Sequence, residues 1–136
     1  MSENDVYYKY LASLRVFGKK VNLEEISEKL GIKPTETHRR GERLGKTSKM
    51  MYPNDIWILD APVPRESDLE KHLLWLKKKL LPHKKYIWEL KKKYHVDFFC
   101  GYRSNNDQGG FSLSPKCLEL FVELGIQLEF SIIITF

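Results

Sequence analysis

The sequence predicts an α+β fold: a ferredoxin-like pair of split β-α-β units, forming a four-stranded, mainly antiparallel sheet with helices on one face. A strand, a turn, a capped helix, Leu-Gly-Ile and a second strand occur in this order at both ends of the chain, around Gly31 and Gly125. An inserted lysine-rich helical pair separates the two units. The 136 residues, 42% of them hydrophobic, suffice for one core, which predicts a single domain over residues 1–136.

The first unit begins with a strand at Tyr8–Gly18, where alternating apolar residues predict one buried face and one partly covered face. Asn22 is placed to cap the following helix, and Gly31 ends it, because glycine readily adopts the left-handed conformation needed there. Residues 32–54 have no apolar periodicity, which predicts a long loop. A short strand follows at residues 56–60.

The inserted pair is predicted as helices over residues 67–81 and 83–94. Ser67 is the expected N-cap of the first helix. Pro82 separates the two, since proline is tolerated in the first turn of a helix but not in its interior. Leucines at spacings of four, three and four residues predict one core-facing stripe, formed by Leu69, Leu73, Leu76 and Leu80.

The second unit consists of a strand at residues 96–103, a turn, a helix and a final strand at residues 126–136. Ser114 followed by proline predicts the start of the helix, and Gly125 predicts its end. The residues expected to face the core from this helix are Leu118, Phe121, Val122 and Leu124.

Six short segments occur in a fixed order along nearly the whole chain. They are A-S-L-R-V-F-G from residue 12, L-G-I-K-P-T-E-T from residue 30, Gly41, the W-x-L of Trp57 and Leu59, F-S-L-S-P from residue 111 and L-G-I-x-L from residue 124. This ordered set resembles the bacterial domain of unknown function 4279 family. An aromatic residue tends to follow P-T-x-T in that pattern, where this chain has His38. The resemblance implies a bacterial cytosolic origin. The resemblance identifies no functional residues in this chain, because the family has no established activity.

Positive charge is concentrated in one part of the chain. Residues 71–93 contain nine lysines and a single acid, Glu89, which gives +8. The residues before them hold 12 basic and 12 acidic side chains, and those after them hold 2 and 5, so the whole chain carries +5. This asymmetry favours an acidic partner for the lysine-rich stretch.

Two tryptophans lie among these lysines at the offsets of three and four residues that make neighbours on a helix surface. Aromatic side chains between lysines suit base stacking with phosphate contacts alongside. The structural alternative is that each indole covers an edge of the core while the lysine stems lie along it. The candidate binding residues of this stretch are Lys71, Trp75, Lys78, Lys79, Lys84, Lys85, Trp88, Lys91 and Lys92.

The long loop holds a second basic group, whose guanidinium groups and backbone N–H groups near two glycines could bind an anion. Its candidate residues are Arg39, Arg40, Arg43, Lys46 and Lys49. The alternative is a solvated, mobile loop. The letters G-E-R-L-G-K-T are one residue short of a phosphate-binding loop and follow no buried strand, so that motif is rejected.

The spacing of the four histidines and two cysteines matches no metal site, and no cofactor is predicted. Both cysteines are expected to be reduced core thiols, with Cys117, at a helix start, the better candidate for a lowered thiol pKa.

The uncharged C-terminal run of seven residues is too short to span a bilayer, and the polar N-terminus is not a secretory signal. These features predict a cytoplasmic protein.

The sequence therefore predicts a non-catalytic binding module that meets a protein or an acidic surface through the lysine-rich helices and the long loop. Toxin-neutralising immunity proteins are one such class, although inhibitors of basic nucleases tend to be acidic. The alternative is single-stranded nucleic-acid binding through Trp75, Trp88 and the surrounding lysines. If the apolar last strand lies at an edge of the sheet, it can pair with the same strand of another copy, so a homodimer is plausible.

Overall fold

The computed structural model describes residues 5–135, which form one five-stranded sheet and four α-helices. The strands are β1 (Tyr8–Gly18), β2 (Glu36–His38), β3 (Asp55–Asp60), β4 (His95–Ser104) and β5 (Gln127–Ile134). The helices are α1 (Leu23–Leu30), α2 (Leu69–Leu80), α3 (Lys84–Lys93) and α4 (Pro115–Leu124). The sheet order is β2-β3-β1-β4-β5, and every pairing is antiparallel except the parallel β4–β5 pair.

This architecture confirms the predicted α+β class and corrects the number of strands from four to five. The additional strand, β2, lies inside the segment predicted as a loop and pairs with β3. It has only three residues, too few for an alternating apolar pattern to be visible in the sequence. β1 and β2 run in the same direction with β3 between them, whereas β4 and β5 are direct neighbours, so the two units differ in their pairing.

The helices cover one side of the sheet. Ala12, Leu14 and Val16 of β1 are fully buried there, together with Trp57 of β3 and Phe98 of β4. The alternating residues point to the opposite side, which we call the open face, because side chains such as Leu11, Phe17 and Phe99 are only half-buried there. The two sides of the sheet therefore offer different surfaces to solvent.

The lysine-rich helices belong to the core instead of forming an appendage. The four leucines of the predicted stripe, at positions 69, 73, 76 and 80, are all buried. A single 3₁₀ turn, Leu81–His83, with Pro82 in its first positions, joins α2 directly to α3. We call the resulting kinked element, residues 69–93, the helical arm. No helix within residues 5–135 combines the length and apolarity needed to cross a membrane.

Two predictions about helices are wrong. The N-cap of α2 is Asp68, which makes no side-chain capping bond, and not Ser67. In α4, Leu118 and Val122 are 41% and 81% exposed. Phe121 and Leu124 face the core as predicted, but Cys117 and Leu120 take the places of Leu118 and Val122. This face of α4 packs against both α2 and α3.

Candidate binding surfaces

Four exposed lysines recur every seven residues in the helical arm. Lys71 and Lys78 belong to α2 and Lys85 and Lys92 to α3, and within each helix this spacing is close to two turns. We call them the lysine row. None of the ion pairs within residues 5–135 involves the first three, and Lys92 pairs only with Glu89 of its own helix, at 3.3 Å. The row therefore keeps most of its charge available to a partner.

Three other lysines of the arm are used inside the protein. The Lys77 ammonium lies 2.8 Å from a Glu119 carboxylate oxygen and lowers the pKa of that carboxyl. Lys84 pairs with Glu123, and Lys91 Nζ donates to the carbonyl oxygen of Leu124 at 2.9 Å. Because all three partners lie in α4, these lysines attach α4 to the arm, a role that the linear charge count does not reveal.

The two predicted tryptophans both remain accessible. Trp88 is 42% exposed, its Nε1 donates to the carbonyl oxygen of Glu123 at 3.2 Å, and Lys84 Nζ lies 4.9 Å from its ring centre. Trp75 is half-buried, with Lys79 Nζ 5.7 Å from its ring centre. Each indole therefore has one lysine within cation–π distance, and the Trp88 indole is also fixed by a hydrogen bond to α4.

Within the long loop, the chain forms a hydrogen-bonded hairpin. The N–H of Gly41 donates to the carbonyl of Tyr52 at 2.9 Å, and the N–H of Tyr52 donates to the carbonyl of Glu42 at 2.7 Å. Gly41 has φ 93°, a left-handed conformation that glycine adopts without strain. Arg43 and Met51 form a further bridge.

Asp55 anchors this hairpin. Its buried carboxylate accepts hydrogen bonds from the backbone N–H groups of Arg40 and Val21 at 2.7 and 2.9 Å, and Arg39 Nη1 lies 3.2 Å away. These donors, in that order, hold the pKa of Asp55 below its ordinary value. Arg39, a candidate for binding an external anion, thus pairs with the chain's own carboxylate. The side chains of Arg40, Arg43, Lys46 and Lys49 remain exposed, and partner or anion binding by the loop stays a prediction.

The cysteines are buried free thiols, which confirms their predicted state. Burial raises the pKa of Cys100 to about 12 and that of Cys117 to about 11. Cys117, the better candidate for a lowered thiol pKa, is thus a plain core thiol: although the residue lies in the first turn of α4, its loss of hydration outweighs the helix dipole. Within residues 5–135, no three His, Cys, Asp or Glu side chains are grouped to hold a metal ion.

A polar pair on the open face was not predicted. The Nε and Nη2 atoms of Arg15 donate to the two carboxylate oxygens of Asp97 at 2.8 and 2.7 Å, and Asp97 is 1% exposed. The Arg15 guanidinium also lies 4.7 Å from the ring centre of Phe99 and 5.6 Å from that of Phe17. The partners are 82 residues apart in the chain, and only the β1–β4 register, which places Arg15 opposite Asp97, brings them together.

These features define a small α+β domain with exposed lysines on its helical arm, a hairpin and an open sheet face. The chain belongs to the family described as domain of unknown function (DUF4279), whose model matches residues 7–135. The match confirms the resemblance found in the sequence. No curated protein and no solved structure matches the chain significantly.

Proposed function

We propose that this domain is a non-catalytic binding module whose helical arm contacts an acidic surface of a partner protein. The observation that carries this proposal is the lysine row, four exposed lysines on two helices whose apolar residues are buried in the core. Because the helices are folded before the partner arrives, binding costs side-chain entropy of the lysines but no ordering of the backbone. Its charge also steers an acidic partner towards the arm.

The hairpin supplies a second, separate contact in this proposal. Arg43, Lys46 and Lys49 are exposed and belong to none of the ion pairs within residues 5–135. The Arg39 guanidinium is already paired with Asp55, at 3.2 Å. Arg40 donates only its backbone N–H to Asp55, so its exposed side chain remains a candidate for this contact.

The surroundings of the arm favour a protein over a nucleic acid. Glu119 and Glu123 of α4 lie beside the arm lysines that they pair with, so a continuous phosphate backbone would approach carboxylates as well as ammonium groups. A folded protein can present its acidic residues to the row alone. The Trp88 ring also has Lys84 near it, which restricts base stacking.

The test is charge reversal of the row. A variant with Lys71, Lys78 and Lys85 all changed to Glu is compared with the wild type in affinity capture from the native host, and the partner recovered is then titrated by calorimetry. We expect at least about tenfold weaker binding, and a wild-type affinity that falls as salt is raised.

The control carries the same change of charge elsewhere. Lys19, Lys20 and Lys33 are exposed and lie outside the arm, so their joint change to Glu should leave partner binding intact. Equal affinity of the row variant and this control for the recovered partner would refute the proposal. Thermal unfolding of both variants verifies that each is folded.

The nucleic-acid alternative has its own readout in the same proteins. If the domain binds single-stranded nucleic acid, fluorescence anisotropy with a labelled oligonucleotide should show steep weakening with salt. Trp88→Ala should then lose about 1–3 kcal/mol of binding free energy. Retention of a protein partner by Trp88→Ala, with no oligonucleotide binding by the wild type, would reject this alternative.

A further inference from the structure

A cavity of about 340 Å³ lies on the open face of the sheet, on the side opposite the helices. Strands β1, β4 and β5 line it with Tyr10, Leu11, Phe99, Gly101, Tyr102, Ser131 and Ile133. Apart from the cations at its border, the lining is thus mainly apolar and aromatic. Its volume lies in the range, from about 300 Å³ upwards, that small-molecule sites occupy.

Three cations border this cavity: Lys9, Arg65 and Arg103. Lys9 on β1 lies directly opposite Arg103 on β4 in the strand register. Arg65 is held beside β1, because its carbonyl oxygen accepts the N–H of Tyr10 at 2.7 Å. None of the ion pairs formed within the described part of the chain involves these three side chains.

This arrangement is unfavourable without a ligand. Like charges placed directly opposite each other on paired strands destabilise a sheet, and Arg65 adds a third positive charge to the same cavity. Glu129, which lies opposite Phe99 in the register, accepts a hydrogen bond from Gln127 and is not part of the lining. An anion between the three cations would turn this repulsion into attraction.

We propose that the cavity binds a small phosphate monoester that carries a planar apolar group. The phosphate binds Lys9, Arg65 and Arg103, since two guanidinium groups and an ammonium suit the geometry and charge of a phosphate dianion. The planar group lies against Phe99 and Leu11. The site is independent of the proposed partner surface, because it lies on the other side of the sheet from the helices.

Isothermal titration calorimetry with 5′-AMP and phenyl phosphate tests the proposal, with inorganic phosphate and adenosine as comparison ligands. We expect both monoesters to bind more tightly than inorganic phosphate, and adenosine not to bind. Arg103→Gln should weaken both monoesters by about tenfold or more, since a hydrogen-bonded charge pair is lost. The charge-reversed lysine row should bind them as the wild type does, which separates this proposal from the proposed function.

A pair of glycine variants tests the position of the site. A Cβ atom added at Gly101 would meet only Leu11 Cβ and Phe99 Cε1, both at 3.6 Å, so Gly101→Val should fold while filling the cavity and abolishing binding. Gly110→Val adds the same side chain where a Cβ meets nothing within 4 Å, so it should bind as the wild type does.

The unliganded protein gives a second readout. Because Arg103→Gln removes a like-charge contact with Lys9, it should raise the melting temperature in phosphate-free buffer; an unchanged or lower value would contradict the repulsion. The absence of binding by both monoesters, or undiminished binding by Arg103→Gln or Gly101→Val, would overturn the proposal. Inorganic phosphate binding as tightly as the monoesters would overturn the part of it that concerns the planar group.

Discussion

At the scale of single residues, the most consequential side chains are buried carboxylates that hold distant parts of the chain together. Asp55 connects the hairpin to β3 and to the start of α1, through the N–H groups of Arg40 and Val21. Asp97 holds Arg15 on the open face. Removing one partner of such a contact leaves a desolvated polar group, which is more destabilising than the absence of both.

Asp55→Asn should lower the free energy of unfolding at neutral pH by about 1–3 kcal/mol, because an amide cannot accept from every donor that the carboxylate serves. The variant should also change the pH dependence of stability. The folded-state pKa of Asp55 is lowered from its ordinary value of 3.8, so its contribution is complete above that value and is lost as the pH falls through the folded-state pKa.

Denaturant unfolding at several pH values measures both effects. The wild type should lose stability more steeply below about pH 4 than Asp55→Asn does. The exposed Asp107 provides the matched control, Asp107→Asn, which should keep the wild-type stability and slope. If the wild type and Asp55→Asn lose the same free energy of unfolding as the pH falls, this carboxylate does not stabilise the folded state.

At the scale of helices and strands, local capping signals and tertiary contacts do not always agree. Ser114 was predicted as a cap and is one: its Oγ accepts the N–H of Cys117 at 3.2 Å. Ser67 has a similar local sequence but makes no capping bond, and the N-cap position of α2 is the next residue, Asp68. The Glu70 carboxylate, three residues after Ser67, accepts the N–H of Ser114 and so links α2 to the start of α4.

These two serines give a matched test. Ser114→Ala should lower the free energy of unfolding by about 1 kcal/mol, because the start of α4 loses its capping acceptor. Ser67→Ala should change it by less than about 0.5 kcal/mol, as expected for a side chain that makes no capping bond. Denaturant unfolding monitored by circular dichroism measures both, and equal losses would contradict the assignment of the caps.

At the scale of the whole molecule, the sheet order places β5 at an edge with β4 on one side only. Phe130, Ile132 and Ile134 of this strand are 46%, 63% and 37% exposed, and Phe111 stacks on Phe130 at 5.5 Å between ring centres. An exposed apolar edge strand of eight residues is a template for pairing with another chain. The homodimer suggested by the sequence stays a prediction that depends on this edge.

Sedimentation velocity over a wide range of concentrations tests the dimer. The wild type should show an average mass that rises with concentration, and Ile132→Lys should suppress the rise, because a charge on the edge opposes strand pairing. Val122→Lys is the control, since Val122 is 81% exposed but lies on α4, away from the edge. A wild type that stays monomeric throughout would exclude the dimer.

The sequence by itself determined the features that depend on neighbouring residues. Asn22 and Ser114 cap α1 and α4 with their own side-chain oxygens, and Gly31 and Gly125 end those helices in left-handed conformations. The leucine stripe of α2 follows from helical periodicity. The concentration of lysines in residues 71–93 is likewise a property of the linear chain.

Only the tertiary structure decided which of these charges and donors remain free. Lys77 and Lys84 form ion pairs with glutamates of α4, and the N–H of Arg40 donates to Asp55. In α4, Leu120 is buried instead of Leu118. Register alone places Lys9 opposite Arg103. The physical reason is that a cap or a helical stripe is an interaction over three or four residues. Ion pairs and strand register instead join distant segments whose relative position is fixed when the sheet and core assemble.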